Sequence, residues 1–196
     1  MKFLIVVDMQ KDFIDGALGS PEAQAIVGKV KEKIQQYKDN GDVVIYTMDT
    51  HTDDYLDTME GKKLPVKHCI KGTDGWYIDE SFGVDYENDY IVEKPTFGIL
   101  TMGDLFGQAY GDYVQSHLPN DYKDGDEINY PDVDQFEFVG LCTDICVISN
   151  VLIAKATFQV PIVVDASCCA GVTPDKHKAA IEVMKSCLVD VINEEQ

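Results

Sequence analysis

Short apolar runs alternate along the chain with segments whose apolar residues recur at helical spacing, and this alternation restricts the fold more than any other feature. Phe3 to Val7 reads as a buried strand, followed by Val43 to Tyr46, Tyr90 to Val92, Phe136 to Val139, Ile162 to Val164 and Leu188 to Ile192. Between the first two, Ser20, Pro21 and Glu22 supply a cap, a proline suited to the first helical turn and an acid facing the helix dipole. Ile26, Val27, Val30, Ile34 and Tyr37 continue at helical spacing until Asn40 and Gly41 end the segment. Further helices are expected over about Thr101 to His117, Ile145 to Thr157 and Pro174 to Ser186. The pattern predicts an α/β fold: three α/β/α layers on a mainly parallel six-stranded sheet, Rossmann-like in outline. With 196 residues and no internal repeat, the chain is read as a single domain, 1–196.

Sheets of this kind bind ligands beyond the carboxyl ends of their strands. The polar residues expected there are Asp8, Asp49, Lys94 and the stretch Gly140 to Cys146. Cys146 lies just past a strand and near a helix start, where the positive dipole end favours thiolate. A nearby lysine would add to that effect, and a carboxylate could take the proton. Taken singly, each residue has a plainer role: Asp8 as a loop cap, Lys94 as a surface charge, Cys146 as core packing.

Residues 49–80 form a long irregular stretch holding two of the four histidines and the only tryptophan, and such loops in compact domains usually carry function. Asp49 and His51, with His68 after a loop, suit a divalent cation with open positions, and Glu60 could add a fourth oxygen. The spacing alone is a weak signal. Cys168 and Cys169 are adjacent and read as packing residues, whereas Cys142 and Cys146 form a candidate pair under oxidation.

Charge narrows the partners. The chain carries a net charge of -19, and all 16 basic residues are lysine. The acidic balance excludes the electrostatic route to nucleic acid and disfavours anionic membranes. Without arginine, bidentate recognition of carboxylate or phosphate is lost, which favours a small neutral ligand. No apolar run suits a secretory segment or a membrane span, so the six cysteines read as thiols of a cytoplasmic protein. Residues 102–137 hold nine acids and one lysine and read as an acidic insertion, either a solvated loop or a lid or contact surface.

Five segments together resemble one family. Asp8-Met9-Gln10-Lys11-Asp12-Phe13 is similar to the opening of the isochorismatase-like cysteine hydrolases, the superfamily that includes nicotinamidases. Asp49-Thr50-His51 resembles their metal motif, and His68-Cys69-Ile70-Lys71-Gly72-Thr73 the segment that follows it. Glu93-Lys94-Pro95 looks like the catalytic lysine segment, and Gly140 to Val147 like the nucleophile turn. All five stand in family order, from residue 1 to about 192. One departure is Cys142, which stands where the family usually has alanine. The acidic stretch is another, being longer than expected of the family.

The resemblance implies a triad of Asp8, Lys94 and Cys146, with an oxyanion received by the backbone N–H groups of Cys142 and Cys146 beside a cis peptide at Leu141–Cys142. It implies a divalent metal held by Asp49, His51 and His68 with Glu60, zinc first and manganese or iron as alternatives. In nicotinamidase-like members that metal holds the ring nitrogen or a water in place. Phe13 and Trp76 are the candidate aromatic walls. The implied reaction is hydrolysis of nicotinamide to nicotinate and ammonia through a thioester, by a homo-oligomer. Isochorismate, a dianion, fits an arginine-free acidic chain poorly; N-carbamoyl or ureido amides remain the alternative, and a non-catalytic binding scaffold is a third reading.

Overall fold

The computed structural model describes residues 1–119, 121–123, 128 and 130–194. Six strands, β1 (Lys2–Val7), β2 (Val43–Asp49), β3 (Tyr90–Lys94), β4 (Gln135–Leu141), β5 (Ile162–Ala170) and β6 (Asp190–Ile192), form one sheet in the order β3-β2-β1-β4-β5-β6. Every pairing is parallel. Successive side chains of a strand face opposite sides, so Leu4 and Val6 of β1 point into one core and Phe3, Ile5 and Val7 into the other.

The first core is closed by α1 (Lys11–Ile14) and α2 (Pro21–Asp39), the second by α3 (Met102–Ser116), α4 (Ile148–Thr157) and α5 (Pro174–Ser186). Helix α2 begins where its cap residues require: Ser20 Oγ accepts from Ala23 N, with Pro21 in the first turn. Among the described residues no helix is long and apolar enough to cross a membrane.

The strands run further at their carboxyl ends than their apolar runs suggest. β2 continues from Tyr46 to Asp49, β3 from Val92 to Lys94, β4 from Val139 to Leu141 and β5 from Val164 to Ala170. These added residues include polar groups that are nonetheless buried, so hydrophobicity gave no sign of them. β6, by contrast, starts at Asp190 rather than Leu188, because Leu188 takes a left-handed backbone (φ 61°) and turns the chain out of α5. Gly140 sits at φ 116° with a β-carbon position only 2.1 Å from Val7 O, so glycine is required where β4 passes β1.

The acidic stretch 102–137 is only partly a loop. Its first residues form α3 and its last enter β4, while residues 120, 124–127 and 129 lie outside the described residues.

Candidate active site

The carboxyl ends of β1, β2 and β3 bring three charged side chains into the interior. Lys94 Nζ lies 2.7 Å from Asp8 Oδ2, 3.5 Å from Asp49 Oδ1 and 3.5 Å from Cys146 Sγ. Asp8, Lys94 and Cys146 are all buried. Asp8 follows β1, which pairs with the β4 strand that leads into the thiol turn, but Lys94 comes from farther away. β3 is separated from β4 by β2 and β1, and the long lysine stem spans the gap.

Besides Lys94, Thr47 holds Asp8. Its φ of 47° turns the chain out of the sheet, its amide donates to Thr47 O (3.2 Å), and its Oδ1 accepts a short hydrogen bond from Thr47 Oγ1. Burial raises Asp8 above its ordinary value despite the opposing Lys94 charge. Lys94 moves the other way from what burial alone would do: the negative groups Asp8, Cys146 and Asp49 keep it firmly protonated.

Cys146 corrects an expectation. It lies not in the first turn of an α-helix but in a π-helical turn, Thr143–Val147, that precedes α4. Burial and the Asp8 charge outweigh Lys94, pushing the thiol well above its ordinary value. Beside the ionised Asp49, the resting site therefore sets Lys94 against one further anion, shared between the Asp8 carboxylate and the Cys146 thiol. Passing the proton from Cys146 to Asp8 leaves that balance unchanged, so it avoids the cost of yet another buried anion.

The turn opens at a cis peptide, Leu141–Cys142. Cys142 O accepts from Ile145 N (3.0 Å) and Val147 N (3.1 Å). Thr143 Oγ1 meets His177 Nδ1 at 2.8 Å, and Asp144 Oδ1 accepts from Val172 N (2.9 Å), tying the turn to the start of α5. Cys142 packs against the α2-side core and Cys146 against the other, which places the two candidate redox partners in different layers. All six thiols are free.

On the far side of Asp49 the proposed metal ligands converge. Asp49 Oδ2 lies 3.0 Å from His51 Nε2 and 3.4 Å from His68 Nε2, and Glu60 Oε1 lies 3.7 and 3.8 Å from the same nitrogens. All four donor atoms fall within 4.8 Å of one another. Ligands about 2.0–2.1 Å from a tetrahedral ion stand roughly 3.3 Å apart, a spacing these contacts bracket. His68 Nδ1 donates to Val66 O (2.8 Å), which leaves Nε2 as the ligating nitrogen. Asp49 Oδ1 is buried without a hydrogen-bond partner. Although burial opposes ionisation, His51, His68 and Lys94 hold Asp49 ionised, whereas burial and Asp49 raise Glu60. The donor set fits a divalent ion of the zinc type.

Phe13 and Trp76 both sit on the metal side and are buried. The Phe13 ring centroid is 5.5 Å from that of His68, and Trp76 Nε1 donates to Thr50 Oγ1 (2.9 Å), between Asp49 and His51.

Several positioning residues escaped the sequence reading. Gln10, fully buried, donates to Asp49 O (2.8 Å) and Trp76 O (2.7 Å) and accepts from Asp49 N (2.7 Å), fixing Asp49 through its backbone. Asp12 Oδ2 accepts from Cys69 N (2.7 Å), next to His68, and Gly75 leaves room for that carboxylate, whose oxygens would lie 2.2 and 2.4 Å from a β-carbon there. Both residues stood inside a quoted motif, which was the one available signal. Thr47 and Asn150 stood in none.

Comparison with known proteins places this geometry. The isochorismatase domain model matches residues 2–117 and 122–196. The nicotinamidase of Saccharomyces cerevisiae is 24% identical over 224 residues, covering 98% of this chain and 100% of that protein. Among solved structures, the pyrazinamidase of Pyrococcus horikoshii in complex with zinc is similar, with a TM-score of 0.74 and 25% identity over 98% of this chain and 99% of that one. N-carbamoylsarcosine amidase from Thermoplasma acidophilum shares the fold, at a TM-score of 0.70 and 24% identity over 100% and 99% of the two chains. The protein with this buried lysine, carboxylate and thiol belongs to the isochorismatase family of hydrolases.

Proposed function

We propose that this protein is a metal-assisted cysteine amidohydrolase that converts nicotinamide and water to nicotinate and ammonia. The observation that carries the reading is that Asp49 faces both halves of the site: Lys94 at 3.5 Å on one side, His51 and His68 on the other. A nucleophile and a set of metal ligands so joined suit a small substrate with an amide at one end and a ring at the other. The similarity to a nicotinamidase and to a zinc-bound pyrazinamidase supports that choice. A neutral substrate also suits an arginine-free chain of net charge -19. Six free thiols fit the reducing cytoplasm.

As Cys146 Sγ attacks the carboxamide carbon, its proton passes to Asp8, and Lys94 keeps the pair charge-balanced. The backbone N–H groups of Cys142 and Cys146 receive the oxyanion. Asp8 then returns the proton to the leaving nitrogen, ammonia departs, and a Cys146 thioester remains. Water gives a proton to Asp8 as it attacks the thioester carbon, the C–S bond breaks, Asp8 passes that proton to Sγ, and the acid product loses its own proton to solvent, releasing nicotinate and the free thiol. A divalent ion bound by Asp49, His51, Glu60 and His68 would supply a Lewis-acid contact that orients the substrate ring, with Phe13 and Trp76 as walls.

The test is ammonia release from nicotinamide by wild-type and Cys146→Ala protein, each with and without chelator. Release that is lost in the variant and reduced by chelation is expected. No release from nicotinamide by reduced, metal-loaded wild type would overturn the substrate, and turnover of an N-carbamoyl amide instead would replace it.

A further inference from the structure

Lys94 ends an edge strand. β3 pairs with β2 alone, and its residues before Lys94 are half-buried or exposed. A side chain that must reach across two strands to within 3.5 Å of a thiol needs a second anchor for its backbone, because one ladder leaves the strand end free to shift.

We infer that Asn150 is that anchor, a positioning residue that staples the loop after Lys94 to the nucleophile turn. Asn150 lies in the first turn of α4, four residues beyond Cys146, and is fully buried. Its Nδ2 donates to Cys146 O (2.8 Å) and to Phe97 O (3.1 Å), and its Oδ1 accepts from Ile99 N (2.9 Å). One amide thus holds the nucleophile's own carbonyl and two backbone groups of the loop that begins at Pro95.

The loop is seated on α4 by packing as well. A β-carbon at Gly98 would lie 2.5 Å from Ile153 Cδ1, one turn beyond Asn150, so Gly98 is in close contact with the helix. The Ile99 side chain is buried in the core that also holds Val147 and Val151. Hydrophobic burial brings the loop to the helix but fixes no register, whereas three directional hydrogen bonds do. Ser149 shows the contrast: its Oγ donates only to Ile145 O (2.7 Å), within its own helix.

This inference rests on the proposed triad, and its test uses Asn150→Ala and Asn150→Ser. Serine can still bond the Cys146 carbonyl one turn back, as Ser149 does with Ile145, but is too short to reach the loop. In both variants kcat is expected to fall about tenfold or more while KM stays within about threefold, since ground-state binding is untouched and the alignment of Lys94 and Sγ is lost. Hydrogen–deuterium exchange should speed up over residues 95–101 and stay slow in β1 and β4. Wild-type kcat in Asn150→Ser would overturn the staple, reducing Asn150 to a cap on its own helix, as would unchanged exchange over 95–101 or a loss confined to KM. Should nicotinamide prove the wrong substrate, wild type itself will be inactive on it. The exchange comparison, and kcat on whichever amide wild type hydrolyses, still decide the role of Asn150.

Discussion

Two lysines of this protein sit between buried carboxylates, and they do different things. Lys33 of α2 lies 2.8 Å from both Glu137 of β4 and Asp165 of β5. Lys94 lies 2.7 Å from Asp8 and 3.5 Å from Asp49. Neutral donors complete three of the four carboxylate oxygens around Lys33: Tyr37 Oη and Gln135 Nε2 donate to Glu137 Oε2, Ser167 N and Oγ to Asp165 Oδ1, and Asn193 Nδ2 to Asp165 Oδ2, while Glu137 Oε1 meets Lys33 alone. Around Lys94 and its two carboxylates the neighbours are a thiol beside the lysine, two imidazoles beside Asp49 and a third acid, Glu60, beyond them, groups that ligate or react. Position explains the contrast. Glu137 stands opposite Leu4 in the body of the sheet, where α2 covers it, while Asp8, Asp49 and Lys94 stand at or just past strand ends, where the fold opens to ligands. A lysine between two acids pins a helix in one place and, in the proposed mechanism, poises a nucleophile in the other.

The largest effect expected is a double dissociation. Lys94→Met should lower kcat about a thousandfold or more, because the cation that balances the shared proton is gone. Lys33→Met should leave kcat per folded molecule near wild type but cost about 3–5 kcal/mol of stability, since two buried acids lose their partner. Steady-state kinetics and denaturant melts of the two variants, side by side, decide it. A Lys33→Met protein that is stable but inactive would end the distinction.

Next in size is the metal. His68→Ala removes one of four donors and should weaken divalent binding by about a hundredfold or more. Metal analysis after dialysis reads this directly. Chelation should lower the melting temperature of wild type but hardly that of the variant, because only a folded site binds the ion. Equal metal content in both would remove His68 from the ligand set.

How much of this could be read from the chain follows the same division. The five motifs located Asp8, Asp49, His51, His68, Lys94 and Cys146 because reactive groups are chemically distinctive, and the apolar runs located all six strands. Strand ends were invisible where polar residues are buried by pairing. Asp165 looks like a strand terminator until Lys33 is seen beside it. The π-helical turn, and with it the raised Cys146 thiol, depends on burial, which no local pattern around the cysteine reports. Thr47 and Asn150 carry no reactive group, and their roles exist only through partners 39 residues distant for Thr47 and 51 and 53 residues distant, or on a neighbouring turn, for Asn150.

Acid should separate the two clusters again, by a smaller margin. Asp165 is held below its ordinary value: burial opposes this, but Lys33, Asn193 and Ser167 prevail. Its contribution to stability is therefore present above about pH 3.9 and lost as pH falls through the lower folded value. Asp8 is raised, so its base function is lost at a pH above its ordinary 3.8, while its protonation favours the folded state. Activity should thus decline on acidification before the melting temperature does. Loss of both at one pH, followed in a single buffer series, would mean that the acid limb reports unfolding rather than Asp8.

The finest distinction lies in one hydroxyl. Thr47 Oγ1 donates to Asp8 Oδ1 and so favours the ionised carboxylate. Valine keeps the shape, and the Asp8 amide retains its bond to the residue-47 carbonyl (3.2 Å), so Thr47→Val should cost only about 1 kcal/mol of stability. Without the donor, Asp8 holds its proton more tightly, and the acid limb of kcat/KM should move to higher pH, with the plateau little changed. The matching change in the other cluster, Ser167→Ala, removes a donor from Asp165 and should leave the activity profile where it was. If both substitutions shift the profile alike, the acid limb follows general loosening of the sheet and not the proton on Asp8; if Thr47→Val alone does, Asp8 is the group whose ionisation turnover requires.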